Sequence, residues 1–357
     1  MPAAVRVLVI GCGNMGRSHA KAYHRDPGFA ICGLVARGAS KAELDRELGG
    51  GHALYDDWRR ALAAQRPDAV CISTWPDTHA EIALAALAQG CHVFIEKPVA
   101  PTVAACEQVI AAARAAQRAL VVGYILLHHP SWQRFISEAR TLGTPLVMRM
   151  NLNQQSQGHM WDVHRNLMAA SSPMVDCGVH YVDLMLRMTG SRPLRVSAIQ
   201  ARLDDGLPPG RCNYGQLQVT FADGSVGWYE AGWGPMMSTA ACFVKDVVGP
   251  RGSVTLEAGT ALAENGSDDV AAHTATSAIR VHRAALDAAN KFTAPDELIR
   301  LADEPDHDAL CAREQAWFLA AIREGTDLTA HWAAACASLA IVLAADESAR
   351  SGRTVLL

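Results

Sequence analysis

Through the first third of the chain, short unbroken apolar runs alternate with stretches whose apolar residues recur at helical spacing. The runs VRVLVIG, FAICGLV, DAVCIST, HVFIE and ALVVGY are of strand length, and helices are predicted between them at about residues 15–25, 41–48, 79–89 and 102–117. Continuous apolar strands separated by helices are the pattern of parallel strands covered on both faces. The prediction is a doubly wound βαβ sheet. Gly28 and Gly90 stand where helices should stop.

After about residue 124 the pattern changes. A helix at about 131–142 leads into PLVMRMNLN, LRVSAIQARL, YGQLQVTF, SVGWYEAGW, FVKDVVG and SVTLEAG, which alternate or run long. FADGS between two of them is a hairpin signal. These segments predict an open, largely antiparallel sheet, a surface loop at 258–275, and two closing helices, ALCAREQAWFLAAIREG and HWAAACASLAIVLAADESARSG. The expected organisation is α/β in two domains, 1–124 and 125–357. Val219, Phe221, Val226 and Trp228 alternate along the second sheet, which predicts one face under helices and another covered by self-association.

Composition narrows the function classes. Half of the 357 residues are hydrophobic and 19% are charged, enough for a large core. A formal net charge of −4 with no basic run gives no support for a nucleic-acid or acidic-lipid partner. MPAAVRVLVIG enters a strand at once without a charged leader, and AAACASLAIVLAA falls short of the ~20 residues that a membrane span needs. Ten cysteines form no C-x-x-C pair and sit mostly in apolar patterns, as small core residues. The expectation is a reduced, cytoplasmic protein acting on a small molecule. His159, His164, His180 and Asp176 have no compact ligand spacing, so no metal is expected.

The chemistry begins at GCGNMG, directly between the first strand and the first helix. In that context Gly11 permits the tight turn, Gly13 lets a pyrophosphate approach the backbone, and Gly16 lets helix and strand pack closely. An NAD enzyme should end its second strand in a carboxylate that holds the ribose 2′-hydroxyl. Ala36 stands in that slot, followed by Arg37. Losing the carboxylate and gaining a guanidinium suits a 2′-phosphate, so NADP(H) is favoured, with NAD(H) the alternative if Arg37 only stacks on adenine or faces solvent.

Three further stretches carry polar groups out of apolar surroundings. VFIEKP ends a strand in Glu96 and Lys97, and Pro98 restricts the backbone of Lys97. SSPMVDCGVHYVDLMLRMTG reads as one helix capped by Ser172 and stopped at Gly190, with Asp176, His180 and Asp183 on one face. NQQSQGHMWDVHR supplies amides, imidazoles and an indole (Gln155, His159, Trp161, His164) of the kind that bind a polyol, or it is an ordinary polar loop.

GCGNMG, STWPDTH (73–79), EKP and DCGVHYVD, with the closing AADESARSGRTVLL, together resemble the Gfo/Idh/MocA oxidoreductases over nearly the whole chain. The resemblance implies a Rossmann domain followed by a substrate-binding and oligomerisation domain, and hydride transfer at a sugar or cyclitol carbon, as in inositol dehydrogenases and glucose-fructose oxidoreductase. It implies a cofactor held by Gly11, Gly13, Asn14, Met15, Gly16, Arg37, Ser73, Thr74, Trp75, Pro76, His79, Glu96 and Lys97. It implies a catalytic set of Lys97, Asp176 and His180 and assembly as a homodimer or homotetramer. Imidazole suits proton transfer near neutrality, so His180 is taken as general base, Lys97 as electrostatic partner and Asp176 as orienter. Trp75 stands where many members carry a small residue, and Leu126 and Leu127 replace an arginine often found there. Alternatives of the same family are a ketone reductase or glycosidase. A nucleotide-sensing regulator is disfavoured because Lys97 and His180 are both present.

Overall fold

A computed structural model describes residues 3–238, 243–258, 276–301 and 304–357. The first five apolar runs become β1 (Val5–Ile10), β2 (Phe29–Val35), β4 (Ala69–Ile72), β5 (His92–Glu96) and β6 (Leu120–Gly123). A two-residue strand that the pattern did not announce, β3 (Leu54–Tyr55), joins them. The sheet order is β3-β2-β1-β4-β5-β6, parallel throughout. Strand order reverses between β1 and β4, and a doubly wound sheet opens its ligand crevice at such a point, beyond the carboxyl ends of the strands.

Helices α1 (Asn14–Arg25), α2 (Ser40–Glu47), α3 (Trp58–Gln65), α4 (Pro76–Ala88) and α5 (Val103–Ala116) connect these strands. Local chemistry fixes their starts. Asp57 accepts from Arg60 N at 2.8 Å and Thr102 from Ala105 N at 3.2 Å, while Pro76 opens α4. Gly90 follows the end of α4 with φ +78°, as expected of a stop. Gly28 does not stop α1, because Asp26 already does. Its side is taken by Leu319, whose Cδ2 would lie 2.3 Å from an added Cβ.

The chain divides into two compact units, 1–128 with 305–336 and 129–304 with 337–357. In the first, α10 (His307–Glu324) returns to the sheet after a long excursion, and Phe318 stacks near Phe29 and Phe94, with centroids 6.2 and 6.0 Å away. The last helix, α11 (Thr329–Ser351), has its first turns in that unit, where Trp332 Nε1 donates to Leu120 O at 2.7 Å. At 23 residues α11 is long and apolar enough to cross a membrane by composition, and half of that window is buried inside the protein, as in a core helix. This exceeds the apolar run read from the sequence because polar residues continue the helix at both ends.

Among its described residues the second unit holds nine strands: β7 (Val147–Gln155), β8 (Pro193–Ala201), β9 (Tyr214–Phe221), β10 (Val226–Gly234), β11 (Lys245–Gly249), β12 (Gly252–Ala258), β13 (Thr276–Arg283), β14 (Glu297–Ile299) and β15 (Val355–Leu356). Their order is β14-β13-β12-β11-β7-β10-β9-β8-β15, antiparallel except for the β7–β10 pair. FADGS makes the β9–β10 hairpin, with Gly224 at φ +85°. Val219 and Phe221 are buried on the face that meets helices, whereas Val226 is exposed on the other, so the four alternating residues are divided between two faces. The loop expected at 258–275 lies, apart from Ala258 at the end of β12, outside the described residues, as does Cys242.

Two expectations change here. The polar stretch 153–165 is no loop: it finishes β7 and enters α7 (Gly158–Ala170). Its hydrophobic positions Trp161, His164 and Met168 recur at three- and four-residue spacing, which the density of amides obscured. The stretch expected as one helix is two, α8 (Pro173–Asp176) and α9 (Gly178–Thr189), which meet at Cys177, and just past the junction an added Cβ on Gly178 would stand 3.0 Å from the Tyr229 ring. A sixth helix of the pattern, α6 (Pro130–Thr141), starts at His129, which accepts from Ser131 N at 3.1 Å.

Candidate active site

In the first unit the glycine turn is built by close approach. Gly11 has φ +100°, and a Cβ there would fall 2.3 Å from Ser73 O, on the turn that follows β4. A Cβ on Gly16 would fall 1.8 Å from Gly11 O. Gly13 differs: nothing lies within 4 Å of its added Cβ, and it precedes α1 with no side-chain cap. A helix leaves its first N–H groups without intrahelical partners, so this uncapped start of α1 beside an open glycine is of the kind that can receive a phosphate. Two glycines serve packing and one leaves room for a ligand.

Ala36 closes β2 and hands its N–H to Tyr55 O at 3.1 Å. Arg37 is exposed beside it. Lys41 does not share that freedom: its Nζ meets Asp56 Oδ1 at 2.6 Å and the carbonyls of Ala36 and Gly38 at 2.9 Å. Lys41 is thus engaged within the protein, while Arg37 stands exposed beside Ala36.

Ser73 N donates to Ile10 O at 2.8 Å, which binds the turn after β4 to β1. Thr74 and Thr78 share a hydroxyl contact of 2.7 Å, and Trp75 is 44% exposed before Pro76. His79 is fully buried, with Nδ1 at 2.8 Å from Pro98 O and Nε2 at 2.9 Å from Thr74 O. Burial lowers its pKa against the pull of those two carbonyls. His79 ties the Ser73–Pro76 turn to the Lys97–Pro98 turn. Glu96 is buried too, on His19 and on the amide of Lys97, while Lys97 itself is half-buried at the end of β5.

In the second unit, Asp176 and His180 are both half-buried and flank the break at Cys177. Ser172 caps α8 through Val175 N at 3.2 Å and bonds Asp346 at 2.6 Å, which anchors this start. Asp183 leaves the group: it is fully buried and takes Arg187 Nε at 2.7 Å. Burial pushes its carboxyl up while Arg187 opposes. Gln155, Trp161 and His164 gather around the end of β10. Gln155 pairs in register with Gly234, an added Cβ on Gly234 would meet the Trp161 ring at 3.3 Å, and His164 stacks on Trp233 at 4.5 Å. His159 is exposed at the start of α7.

Two features escaped the sequence reading. His19 and Gln315 meet under β5, although 296 positions separate them. Lys245 is 1% exposed, bonded to Asn151 O and lying 4.9 Å from the Tyr181 ring centroid, next to His180 in sequence. A lysine inside the apolar run FVKDVVG was the available signal.

Comparison with known proteins agrees with this architecture. Residues 5–124 match the family model described as an oxidoreductase family with an NAD-binding Rossmann fold, and residues 134–261 match the C-terminal domain model of the same group, GFO/IDH/MocA. The chain is 27% identical over 203 residues to inositol 2-dehydrogenase of Ralstonia nicotianae, covering 56% of this chain and 58% of the relative. It is 28% identical over 197 residues to that of Burkholderia ambifaria, covering 52% and 55%. It thus spans about half the length of the curated relatives it matches. Among solved structures, an oxidoreductase domain protein from Kribbella flavida superposes with a TM-score of 0.79 at 23% identity, covering 100% of this chain and 99% of that one. The GenD2 enzyme of gentamicin A biosynthesis, solved in complex with NAD, gives 0.76 at 23% identity, covering 100% and 97%. At these identities the structures speak for the fold.

Proposed function

This chain belongs to the Gfo/Idh/MocA oxidoreductases, and from that premise we propose that it moves hydride between NADP(H) and a secondary hydroxyl of a sugar or cyclitol. The reading is supported chiefly by the carboxyl end of the parallel sheet, where the open Gly13 and the strand end that carries Lys97 lie one strand apart across β4. A bound nicotinamide supplies hydride acceptance there. Gly13 and the first turn of α1 would hold the pyrophosphate, Trp75 and Pro76 would help to hold the rest of the cofactor, and Arg37 would meet the 2′-phosphate. We give Glu96 and His79 a bracing role, since both side chains are already engaged within the protein.

In the proposed oxidation His180 takes the hydroxyl proton, and the Lys97 ammonium holds the oxygen as negative charge develops on it. Asp176 accepts a second substrate hydroxyl and fixes the sugar's orientation. Gln155, Trp161 and His164 supply amide, aromatic wall and imidazole for the remaining hydroxyls. The cytoplasm, where reduced thiols persist, is the compartment this reading expects.

The test is direct. Purified protein is incubated with NADP⁺ or NAD⁺ and a panel of inositols, hexoses and amino sugars, and cofactor reduction is followed by absorbance. At least one polyol should reduce NADP⁺ faster than NAD⁺. Tight cofactor binding with no reduction by any member of the panel would point instead to a nucleotide-sensing protein.

A further inference from the structure

Beneath the strand end that presents Lys97 lies a buried chain of acid, imidazole and amide. Glu96 Oε1 is 2.7 Å from His19 Nε2, and Glu96 Oε2 accepts the backbone N–H of Lys97 at 3.2 Å. Gly123 on the neighbouring strand makes room, since an added Cβ would stand 3.1 Å from Oε1. On its other side His19 Nδ1 receives Gln315 Nε2 at 3.0 Å. An amide nitrogen only donates, so Nδ1 accepts and the ring hydrogen sits on Nε2, aimed at Glu96. Both of these contacts to Glu96 are donated to it, which is the setting of an ionised carboxylate.

Burial disfavours the charged forms of several groups around it. Glu314, from α10, is fully buried and neither of its oxygens makes a hydrogen bond. Burial first, and the charge on Glu96 second, push its pKa well above the ordinary value. Tyr23 of α1, Cys71 of β4 and Cys311 of α10 are raised by burial and keep their protons, and the pKa of His79 of α4 is lowered by burial. Burial and the neighbouring Glu96 charge thus drive the Glu314 carboxyl toward its protonated form.

We propose that Glu96 is a positioning residue for Lys97: its ionised carboxylate, held by His19 and Gln315 beside a neutral Glu314, anchors the lysine's peptide and supplies the negative charge at the base of its side chain. This rests on the reading of Lys97 given above. The carboxylate keeps Lys97 an ammonium across the working pH range, so the lysine polarises the substrate oxygen and leaves proton removal to His180.

The experiment reads the lysine itself. Full-length protein is pulsed with an amine-acylating reagent over a pH series, and the midpoint for the Lys97 peptide is taken by mass spectrometry. Glu96→Gln should lower that midpoint by about one unit or more. Glu314→Gln, which replaces a neutral acid by a neutral amide, should leave it unmoved. The reverse pattern, or a midpoint indifferent to Glu96→Gln, overturns the assignment. Where a substrate is in hand, Glu96→Gln should lower kcat about ten-fold with the cofactor KM unchanged. A chain that turns over no substrate sinks the catalytic reading, yet the acylation midpoint still decides this one. Should Glu96→Gln fail to fold, infrared spectra of the unmodified protein and Glu314→Gln replace it. A protonated-carboxyl band removed by Glu314→Gln supports the assignment, and a band that persists overturns it.

Discussion

His79 Nδ1 lies 2.8 Å from the carbonyl oxygen of Pro98, so a residue on the first turn of α4 holds the backbone just past Lys97. Its Nε2 reaches Thr74 O on the preceding turn, and burial lowers the pKa of the ring.

The sign of its pH effect follows. Below its ordinary value of 6.5 the unfolded chain takes up a proton that the buried ring refuses, so stability falls as pH drops. His92, lowered by burial to about 4, acts in the same direction. Glu314, raised by burial, acts in the opposite one, so the comparison must be made between variants. Urea unfolding at about pH 7.5 and about pH 5.5 should show His79→Gln losing less stability over the interval than the unmodified protein, by up to about 1.4 kcal/mol per pH unit. Equal losses would mean that His79 is not neutral in the folded state.

The glycine turn separates packing from binding. Gly16→Ala drives a methyl into Gly11 O, at 1.8 Å, and should cost about 3 kcal/mol or more. Gly13→Ala meets nothing within 4 Å and should leave the thermal midpoint nearly unchanged while weakening cofactor binding by about ten-fold or more. Cofactor affinity by titration calorimetry, beside the melting curve, checks both. A Gly13→Ala protein that binds cofactor normally removes the turn from the pyrophosphate site.

Arg37 should govern cofactor choice, because Lys41 is spent on Asp56 and two carbonyls while Arg37 is exposed at the slot. Ala36→Asp with Arg37→Leu should shift preference from NADP toward NAD by ~1–3 kcal/mol. Equal affinities of the unmodified protein for the two cofactors would refute the assignment.

How far the sequence carried this is best judged from particular residues. The parallel strands other than β3 were legible because each is a short apolar run, as β4 is at all four buried positions, whereas β3 has only two residues, neither of them buried. The turn glycines were legible because their spacing is dictated by contacts within a few residues. His19, Gln315 and Glu314 were not, since 296 positions separate the first two and only the fold brings α10 against α1. The helix α7 was hidden because its apolar face is narrow and begins among amides. Asp183 looked like a member of the polar stripe until Arg187, one turn on, claimed it inside the core.

The open face of the second sheet should mediate self-association. Val147 stands opposite Val226 on one side and Val248 on the other, and the three are 43%, 39% and 42% exposed on neighbouring strands. Three aligned, solvent-facing valines beside the Trp228–Gln216 pair form a patch that a second copy would cover. Sedimentation at micromolar concentration should give a dimer or tetramer, and Val147→Asp should release monomers. A monomeric unmodified protein ends this expectation.

The last prediction concerns the two groups assigned to one substrate hydroxyl. Lys97 leaves the carboxyl end of β5, and His180 lies in the first turn of α9 behind the break at Cys177. If His180 is the base, His180→Ala should remove a general-base contribution of ~10²–10⁴ in rate while cofactor affinity stays intact. Lys97→Ala should lower the rate as well, because the developing alkoxide loses its positive partner. The double variant should lose less than the product of the two single losses, since both act on the same oxygen and its proton. The oxidation rate of the unmodified protein should rise with pH as the base gives up its proton, and that limb should vanish in His180→Ala. Stopped-flow rates of cofactor reduction with the best polyol of the panel, for all four proteins across pH, supply the comparison. Full turnover in His180→Ala transfers the role of base to a deprotonated Lys97, and with it the charge assigned to Glu96 would lose its purpose.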